Sequence, residues 1–409
     1  MNPLPRNPSQ AETVHFCQEL GQALLIYGAP AHRLEEVLSV LTQAYDLCGE
    51  SFSTPTSLMT SIRAKGEDPI PSLHRVHSNE IHLQRLSQLD ALFNQVADLH
   101  LTPKEGREKL IEILQSPAPY GTWTTLLSFG FASGGAARFF GGGMAEILLA
   151  TMTGLGLGVL ALAGKYSATL NRLFEPLGGF IVALLATVGA TFFATVSTDQ
   201  ATLGGLIILV PGFTLTVAVA ELATRNLVSG TARLASAVLS FLMLGFGVAF
   251  GRTVGHFLAG ELPPTNTTPL PDWTLYAVLP IASTTIGVLF QVDRKDLFWV
   301  FLVSAASFFG VSLGTDAFGQ LLGIFFGAFC VGIASNAAAR ITQRPASTTR
   351  LPGLLFLVPG ALGFLSITAL MEGDALQGIE SVFQTAMAAI ALVCGLLISN
   401  AALPSRKAL

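Results

Sequence analysis

Long apolar segments dominate the pattern of hydrophobic and polar positions from Tyr120 onward. A helix needs about 20 predominantly apolar residues to cross a bilayer. The chain after Tyr120 contains ten segments of about this length, separated by short polar turns. The sequence therefore predicts a polytopic α-helical membrane protein with ten transmembrane helices. Their predicted limits are 122–141, 143–163, 174–196, 201–221, 229–251, 273–292, 297–314, 317–338, 351–371 and 378–402.

Before Tyr120 the pattern is that of a small α+β domain. Apolar residues recur at helical spacing in AETVHFCQELGQALLIYG, AHRLEEVLSVLTQAYDL and EIHLQRLSQLDALFNQV. SFSTPTSLMTSIRA is rich in Ser and Thr with partial alternation, which predicts one strand, and SLHRVHS predicts a second. Thr102, Pro103 and Glu105 follow the pattern of a capping box, which predicts the start of a last helix before the membrane segments.

The distribution of charged residues supports the division into an N-terminal domain and a membrane domain, and it predicts the orientation of the chain in the membrane. Charged residues make up 12% of the 409 residues, about half the roughly 25% that is usual in soluble proteins. If the first domain is cytoplasmic, the inner turns carry eleven Lys and Arg residues and the outer turns carry only Arg138 and Arg252. This bias predicts a multi-pass protein of the cell (inner) membrane with both termini in the cytoplasm. The net charge of −4 does not suggest a nucleic-acid partner.

The sequence Leu-Val-Pro-Gly occurs twice inside apolar segments, at 209–212 and at 357–360. Pro211 and Pro359 lie 148 positions apart, in the fourth and ninth predicted spans. Because five spans separate them, the two copies would cross the membrane in opposite directions. This predicts two inverted five-helix repeats. The resulting domains are a cytoplasmic domain (1–119), a first repeat (120–258), an extracytoplasmic linker (259–272) and a second repeat (273–409).

Proline in mid-span removes a helical hydrogen bond and leaves carbonyl and amide groups without partners. Such breaks persist in a membrane where they line a cavity or face other protein. A carbonyl end attracts a cation and a helix N-terminus attracts a carboxylate, so a zwitterionic amino acid suits both. The alternative is that the breaks only kink helices for packing, and that threonine hydroxyls bond back to their own helix. The residues predicted to bind substrate are Pro211, Gly212, Thr214, Thr216, Pro359 and Gly360.

Three acidic residues are candidates for proton coupling, because ionisable groups inside membranes are often functional. Glu221 lies at the end of the fourth span, and its alternative role is a solvated helix terminus paired with Arg225. Asp199 and Asp316 precede the fourth and eighth spans, and their alternative role is to cap those helices.

No residue pattern points to an enzyme. The histidines at positions 74, 77 and 82 with Glu80 match no metal-ligand spacing, so solvated side chains are expected there. No Ser-His-Asp or Cys-His arrangement can be identified, and the glycine clusters lack the strand and the GK[ST] of a phosphate loop. The sequence predicts no catalytic residue, no metal and no cofactor.

The chain resembles the threonine/serine exporter family. The resemblance covers nearly the whole chain and depends on GQALLIYGAPAHRLEEVLSVL, on HLQRLSQLDALFNQVADLHLTPKEGREKLIEIL, and on LVPG in both halves. It implies a cytoplasmic N-terminal domain, ten spans, and export of L-threonine and L-serine driven by the proton motive force. The implied partners are a small amino acid, protons and the lipid bilayer, and the sequence leaves room for a homo-oligomer.

Other functions remain open at this stage. Related split systems resemble exporters of small dicarboxylates such as succinate, which would require cationic groups in the cavity. A membrane-anchored enzyme would place its chemistry in residues 1–119, although ten spans exceed what an anchor needs. A channel would show flux that is insensitive to uncouplers.

Overall fold

The computed structural model describes residues 8–76, 81–193, 195–260, 262, 267–357, 359–371 and 374–404. Its N-terminal part is a small α+β region, which confirms the sequence-based prediction. Two helices lead into a three-stranded sheet, and two helices follow it. In chain order these are α1 (Pro8–Ile26), α2 (Ala31–Ala44), β1 (Leu47–Thr54), β2 (Ser57–Ala64), β3 (Ile70–Arg75), α3 (Leu83–Ala97) and α4 (Pro103–Gln115).

The three strands form an antiparallel meander in the order β1-β2-β3. The prediction of a single strand over residues 51–64 is wrong, because this segment contains a hairpin. Its turn lies at Pro55 and Thr56, where proline has no amide hydrogen to give to a strand ladder. β1 pairs with β2 from Leu47↔Ala64 to Thr54↔Ser57, and β2 pairs with β3 from Ser57↔Arg75 to Ile62↔Ile70.

The predicted capping box of the last N-terminal helix is confirmed. The Thr102 hydroxyl accepts a hydrogen bond from the Glu105 amide at 3.3 Å. The Glu105 carboxylate in turn accepts one from the Thr102 amide at 2.9 Å. These two bonds pair amides that a helix start otherwise leaves free, so α4 begins at Pro103.

After α4 the described chain consists of helices and their connections. The first half contains α5 (Thr122–Phe139), α6 (Met144–Gly164), α7 (Ala168–Arg172), α8 (Phe174–Ala190), α9 (Thr198–Leu206), α10 (Gly212–Ala223) and α11 (Leu227–Ala259). The second half contains α12 (Trp273–Leu289), α13 (Leu297–Phe318), α14 (Gln320–Thr342), α15 (Ser347–Leu354), α16 (Pro359–Met371) and α17 (Ala375–Ala402).

These helices carry the apolar surface of a multi-pass membrane protein. In the described residues, six helical stretches are long and apolar enough to cross a membrane, and three shorter apolar helices accompany them. Trp123, Phe131, Phe246 and Phe383 are each more than half exposed. Large exposed apolar surfaces of this kind mark contact with lipid or protein rather than water. The fourth and ninth predicted spans are each divided into two helices, α9 with α10 and α15 with α16.

Equivalent helices in the two halves have equivalent neighbours. In the first half α11 packs on α8 and α10, and α9 packs on α6 and α8. In the second half α17 packs on α14 and α16, and α15 packs on α13 and α14. A Cβ atom at Gly247 would collide with the Pro176 carbonyl, and one at Gly395 would collide with the Phe325 carbonyl. These glycines let α11 approach α8 and α17 approach α14, and they lie 148 positions apart.

The N-terminal region is docked on the membrane helices. Val292 and Val300 are fully buried in the same apolar cluster as the core of the N-terminal region. The Leu83 amide donates to the Phe290 carbonyl at 3.0 Å, where α12 ends. The apolar contact and the main-chain bond together fix α3 against the end of α12.

Candidate functional site

A cavity lies between the two broken helix pairs. Its volume is about 810 Å³, within the range of small-molecule sites. It is lined by residues from both halves and by Ile81 of the N-terminal region. The break between α9 and α10 contributes residues 207–211, and the break between α15 and α16 contributes residues 355–357. The cavity therefore forms where the two breaks meet.

The first break leaves main-chain groups without partners. α9 ends at Leu206, and the first helical bond of α10 runs from the Leu215 amide to the Pro211 carbonyl at 2.9 Å. Between them, the carbonyls of 207–209 accept no hydrogen bond from the described residues. The amides of Phe213 and Thr214 open α10, and no side chain caps this helix. A carbonyl end and a helix N-terminus thus face the same cavity.

The second break lies at the corresponding place in the second half. α15 ends at Leu354, a 3₁₀ turn covers Leu355–Leu357, and α16 begins at Pro359. The side chain of Phe356 meets Phe139 of α5 edge to face, with ring centroids 5.6 Å apart. Because Phe139 and Phe356 both line the cavity, this aromatic contact joins the two halves across it.

The polar side chains of the cavity include two carboxylates, those of Glu175 and Asp316, and no Lys, Arg or His among the described lining residues. The Ser240 hydroxyl donates to Glu175 Oε1 at 3.2 Å. The Thr214 hydroxyl has no hydrogen-bond partner among the described residues. Asp316 is exposed and belongs to the last turn of α13. The charge of the cavity is therefore negative.

The structure brings some of the predicted substrate-binding residues together at the cavity. Pro211 and Thr214 line it. Gly212 and Gly360 are buried beside it, at the starts of α10 and α16. Thr216 is also buried, and its hydroxyl donates to the Gly212 carbonyl at 3.0 Å. This bond matches the alternative in which a threonine bonds back to its own helix. Pro359 begins α16, and its side chain lies outside the described residues.

Glu221 lies away from the cavity and has a different partner from the one proposed. Its carboxylate is fully buried and pairs with Arg233 of α11 at 3.0 Å rather than with Arg225. It also accepts the amide of Ala31 from the N-terminal region at 3.1 Å. The alternative role, a solvated terminus paired with Arg225, is therefore wrong. The Glu221–Arg233 pair links the C-terminal end of α10 to the N-terminal region.

The two aspartates do not cap helices as expected. Ser197 is the N-cap of α9, and Asp199 lies in its first turn, ion-paired with Arg252. Asp316 belongs to the last turn of α13, since this helix continues to Phe318 and Gly319 is the N-cap of α14. Asp316 therefore lines the cavity as a helix side chain, whereas Asp199 does not line it.

No group of three or more potential metal ligands occurs in the described residues. His77 and Glu80 of the histidine-containing segment lie outside them. His82 is not solvated as expected, because it is only 7% exposed and accepts the Arg85 amide as the N-cap of α3. Burial, and then the positive charge of Arg85, lower the pKa of His82 to about 4.

Two family models cover most of the chain. Residues 15–255 match the model described as "Putative threonine/serine exporter", and residues 276–402 match the one described as "Threonine/Serine exporter, ThrE". The chain belongs to the threonine/serine exporter family. Both LVPG segments fall within the matched ranges, so the family assignment covers both breaks of the cavity.

Similar relatives of this chain are fungal proteins named pheromone-regulated membrane protein 10. The Pichia sorbitophila protein is 25% identical over 373 residues, which covers 88% of this chain and 37% of the relative. The Candida albicans protein (strain SC5314) is 25% identical over 373 residues, with 88% and 33% covered. The Saccharomyces cerevisiae protein (strain YJM789) is 24% identical over 366 residues, with 88% and 47% covered. The chain thus spans a third to a half of these relatives' length. No solved structure matches it.

Sequence reasoning missed Glu175 and Ser240 of the cavity lining. Glu175 was detectable in principle, because it is an acidic residue in the apolar segment LFEPLGGF at the start of the third predicted span. Acidic residues are common at helix starts, however, because the helix dipole stabilises a negative charge there. Ser240 resembles many other serines in the apolar segments, and only the packing of α11 on α8 brings it to Glu175.

Proposed function

We propose that this chain is a secondary active transporter that exports small hydroxy-amino acids, L-threonine and L-serine, driven by the proton motive force. The observation that carries the proposal is the cavity between two broken helix pairs, with free main-chain groups at the first break. The membership in the threonine/serine exporter family supports the substrate class. Under this proposal the chain is not an enzyme.

The main-chain groups of the first break suit a zwitterion. The free carbonyls of 207–209 attract the ammonium group of the amino acid. The amides of Phe213 and Thr214, at the positive end of α10, attract its carboxylate. The Thr214 hydroxyl is available to the hydroxyl of the substrate. Pro211, Gly212, Pro359 and Gly360 hold the breaks open and complete the proposed substrate site.

The charge of the cavity argues against the dicarboxylate alternative. A dicarboxylate carries two negative charges and requires cationic partners when it leaves water. The described lining contains Glu175 and Asp316 instead, and no Lys, Arg or His. Like charges would repel such a substrate, whereas an amino acid presents an ammonium group to them.

The proposed topology consists of ten spans in two inverted repeats, with both termini in the cytoplasm. The equivalent neighbours of the helices in the two halves support it. The spacing of 148 positions supports it too, since it separates Pro211 from Pro359 and also Gly247 from Gly395. Substrate sites of transporters with this symmetry lie at the interface of the repeats, and residues of both halves line this cavity. Proton coupling through Glu221, Asp199 and Asp316 remains a prediction.

Counterflow in proteoliposomes tests the proposal. Purified full-length protein is reconstituted with unlabelled threonine, serine or succinate inside, and uptake of the same compound in labelled form is followed with and without a pH gradient. We expect counterflow of threonine and serine but not of succinate. Export should quicken with an inward proton gradient and lose this stimulation with an uncoupler. Succinate counterflow without threonine counterflow would replace the proposal with the dicarboxylate alternative, and flux insensitive to uncouplers would indicate a channel.

A further inference from the structure

Glu175 is one of the two carboxylates in the described cavity lining, and the proposed function does not assign it a role. It lies in the first turn of α8, half-buried, and lines the cavity. Gly178, one turn further along α8, packs directly on Leu209 of the break. Ser240, its hydrogen-bond partner, is thirteen residues into α11, which places it roughly 20 Å from the start of that helix. Glu175 therefore lines the cavity on the same helix as the glycine that packs on the first break.

The carboxylate of Glu175 has one side-chain partner and a free oxygen. Ser240 donates to Oε1 at 3.2 Å, and Oε2 has no hydrogen-bond partner among the described residues. Ser240 is neutral, so it solvates the carboxylate without compensating its charge. Oε2 is therefore open to a ligand in the cavity, and a carboxylate oxygen can accept a hydrogen bond from an ammonium group or bind a proton.

The charged and titratable groups on the elements around α8 are engaged or directed elsewhere. Asp316 shares the cavity with Glu175 but is exposed, in the last turn of α13. Glu146 of α6 accepts hydrogen bonds from the amides of Gly143 and Ser197. On α11, Arg233 is ion-paired with Glu221, and Arg252 is ion-paired with Asp199 of α9. The remaining groups are exposed: His256, Lys165, Tyr166 and Arg172.

We propose that Glu175 binds the substrate's ammonium group and the coupling proton in turn, so that the two compete for one carboxylate. This inference rests on the proposed function and deepens it. With the cavity open to the cytoplasm, the ammonium group of the amino acid displaces the proton from Glu175. With the cavity open to the outside, a proton displaces the amino acid, and the protonated carboxyl returns. One amino acid leaves for each proton that enters, because one carboxylate cannot carry both.

Competition between a proton and the ammonium group for Glu175 predicts a pH dependence of threonine binding, which binding of the ammonium group alone does not predict. In the wild type, acidification on the side of the substrate should weaken threonine binding, since protons occupy Glu175. In Glu175→Gln the side chain keeps its size and loses its charge. We expect the apparent affinity for threonine to fall about tenfold, which corresponds to roughly 1.4 kcal/mol, and to become independent of pH between 6 and 8.

The experiment measures two fluxes in the same vesicles: threonine counterflow without a pH gradient, and threonine efflux with an inward proton gradient. In Glu175→Gln counterflow should persist at higher threonine concentration, while the stimulation by the gradient should disappear. Glu380→Gln is the matched control, because Glu380 is an exposed acid of α17 whose side chain accepts from Gln384 outside the cavity. This variant should behave as the wild type.

The outcomes separate the inference from the proposed function. Wild-type counterflow of threonine together with an undiminished response of Glu175→Gln to the pH gradient would overturn the inference alone. Absence of threonine and serine counterflow in the wild type would overturn the proposed function and the inference with it. If Glu175→Gln is inactive in both assays, Glu175→Asp decides. If Glu175→Asp regains pH-dependent transport, the result supports competition at this carboxylate. If Glu175→Asp is inactive, the competition proposal is rejected.

Discussion

Glu221 and Arg233 form a buried ion pair at the point where the N-terminal region meets the membrane helices. The Arg233 guanidinium is 3.0 Å from the Glu221 carboxylate, whose side chain is fully buried. The other carboxylate oxygen accepts the amide of Ala31, the first residue of α2. Nearby, the Ser229 hydroxyl of α11 donates to the Ser53 carbonyl of β1 at 2.7 Å. One acidic side chain thus joins α10, α11 and the N-terminal region.

Removal of Arg233 should destabilise the protein strongly. Arg233→Leu leaves the buried Glu221 carboxylate without its cationic partner, which costs about 3–5 kcal/mol. Thermal unfolding of the purified protein in detergent should show a lower midpoint. The double variant Glu221→Gln with Arg233→Leu should recover part of the loss, because no charge is left buried. Losses that simply add in the double variant would contradict a coupled pair.

Glu221→Gln alone also tests the sequence-based prediction that Glu221 takes part in proton coupling. The glutamine can still accept the Ala31 amide. If docking is the role of Glu221, the response of threonine efflux to a pH gradient should be unchanged in molecules that remain folded. Loss of that response, with an unchanged unfolding midpoint, would instead support the coupling role. Flux and unfolding must therefore be measured on the same preparation.

Thr214 and Thr216 provide a matched pair for the substrate site. The Thr214 hydroxyl faces the cavity, whereas the Thr216 hydroxyl is buried and donates to the Gly212 carbonyl. Thr214→Val should raise the threonine concentration needed for half-maximal counterflow by about five- to tenfold, since loss of one hydrogen bond costs roughly 1 kcal/mol. Thr216→Val should leave this concentration unchanged. Equal effects of the two variants would mean that Thr214 does not contact the substrate.

The sequence predicted the position of the breaks because proline acts locally. Pro211 has no amide hydrogen, so the helical bond to the Ile207 carbonyl is absent in any packing arrangement. The capping box of Thr102 and Glu105 was predictable for the same reason, since its bonds span three residues. The hairpin at Pro55 was missed, although proline was again the signal, because the Ser and Thr residues on both sides have the same alternation.

The partners of the charged residues were not predictable, because they depend on packing between helices. Arg225 is one helical turn from Glu221 in sequence, yet it adopts a left-handed conformation with φ of 65° and ends the turn after α10. The chain then reverses, and α11 carries Arg233 to the carboxylate instead. Glu175 is a similar case. Its candidate role depends on the hydrogen bond from Ser240 and on the packing of α8 against Leu209, and both residues are distant from it in sequence.

Pro211 and Pro359 should both be required for transport. Alanine at either position permits a continuous helix, which would pair the free main-chain groups and narrow the cavity. We expect Pro211→Ala and Pro359→Ala each to lower threonine counterflow at least tenfold while the amount of protein in the membrane stays the same. Pro280 lies inside α12 without a break and is the control. Unchanged flux in both LVPG variants would reject the main-chain site.

The close approach of α8 and α11 should be sensitive to a single methyl group. A Cβ atom at Gly247 would collide with the Pro176 carbonyl, a main-chain atom that cannot rotate away. Gly247→Ala should therefore destabilise the protein by about 1–3 kcal/mol, measured as a lower thermal unfolding midpoint. Gly121, where a Cβ atom would meet nothing within 4 Å, is the control, and Gly121→Ala should be neutral. A neutral Gly247→Ala would show that the two helices can separate without cost.

Acid should destabilise the N-terminal region through His82. Burial, followed by the charge of Arg85, lowers the pKa of His82 to about 4, against about 6.5 in an unfolded chain. Between these values the unfolded state binds more protons, so the free energy of unfolding falls as pH decreases from about 6.5 to about 4. His82→Asn retains an acceptor for the Arg85 amide and cannot be protonated, so its unfolding midpoint should fall less over this range. The exposed His100 is the control: His100→Asn should keep the wild-type slope, and an equal slope in His82→Asn would assign the acid sensitivity to other groups.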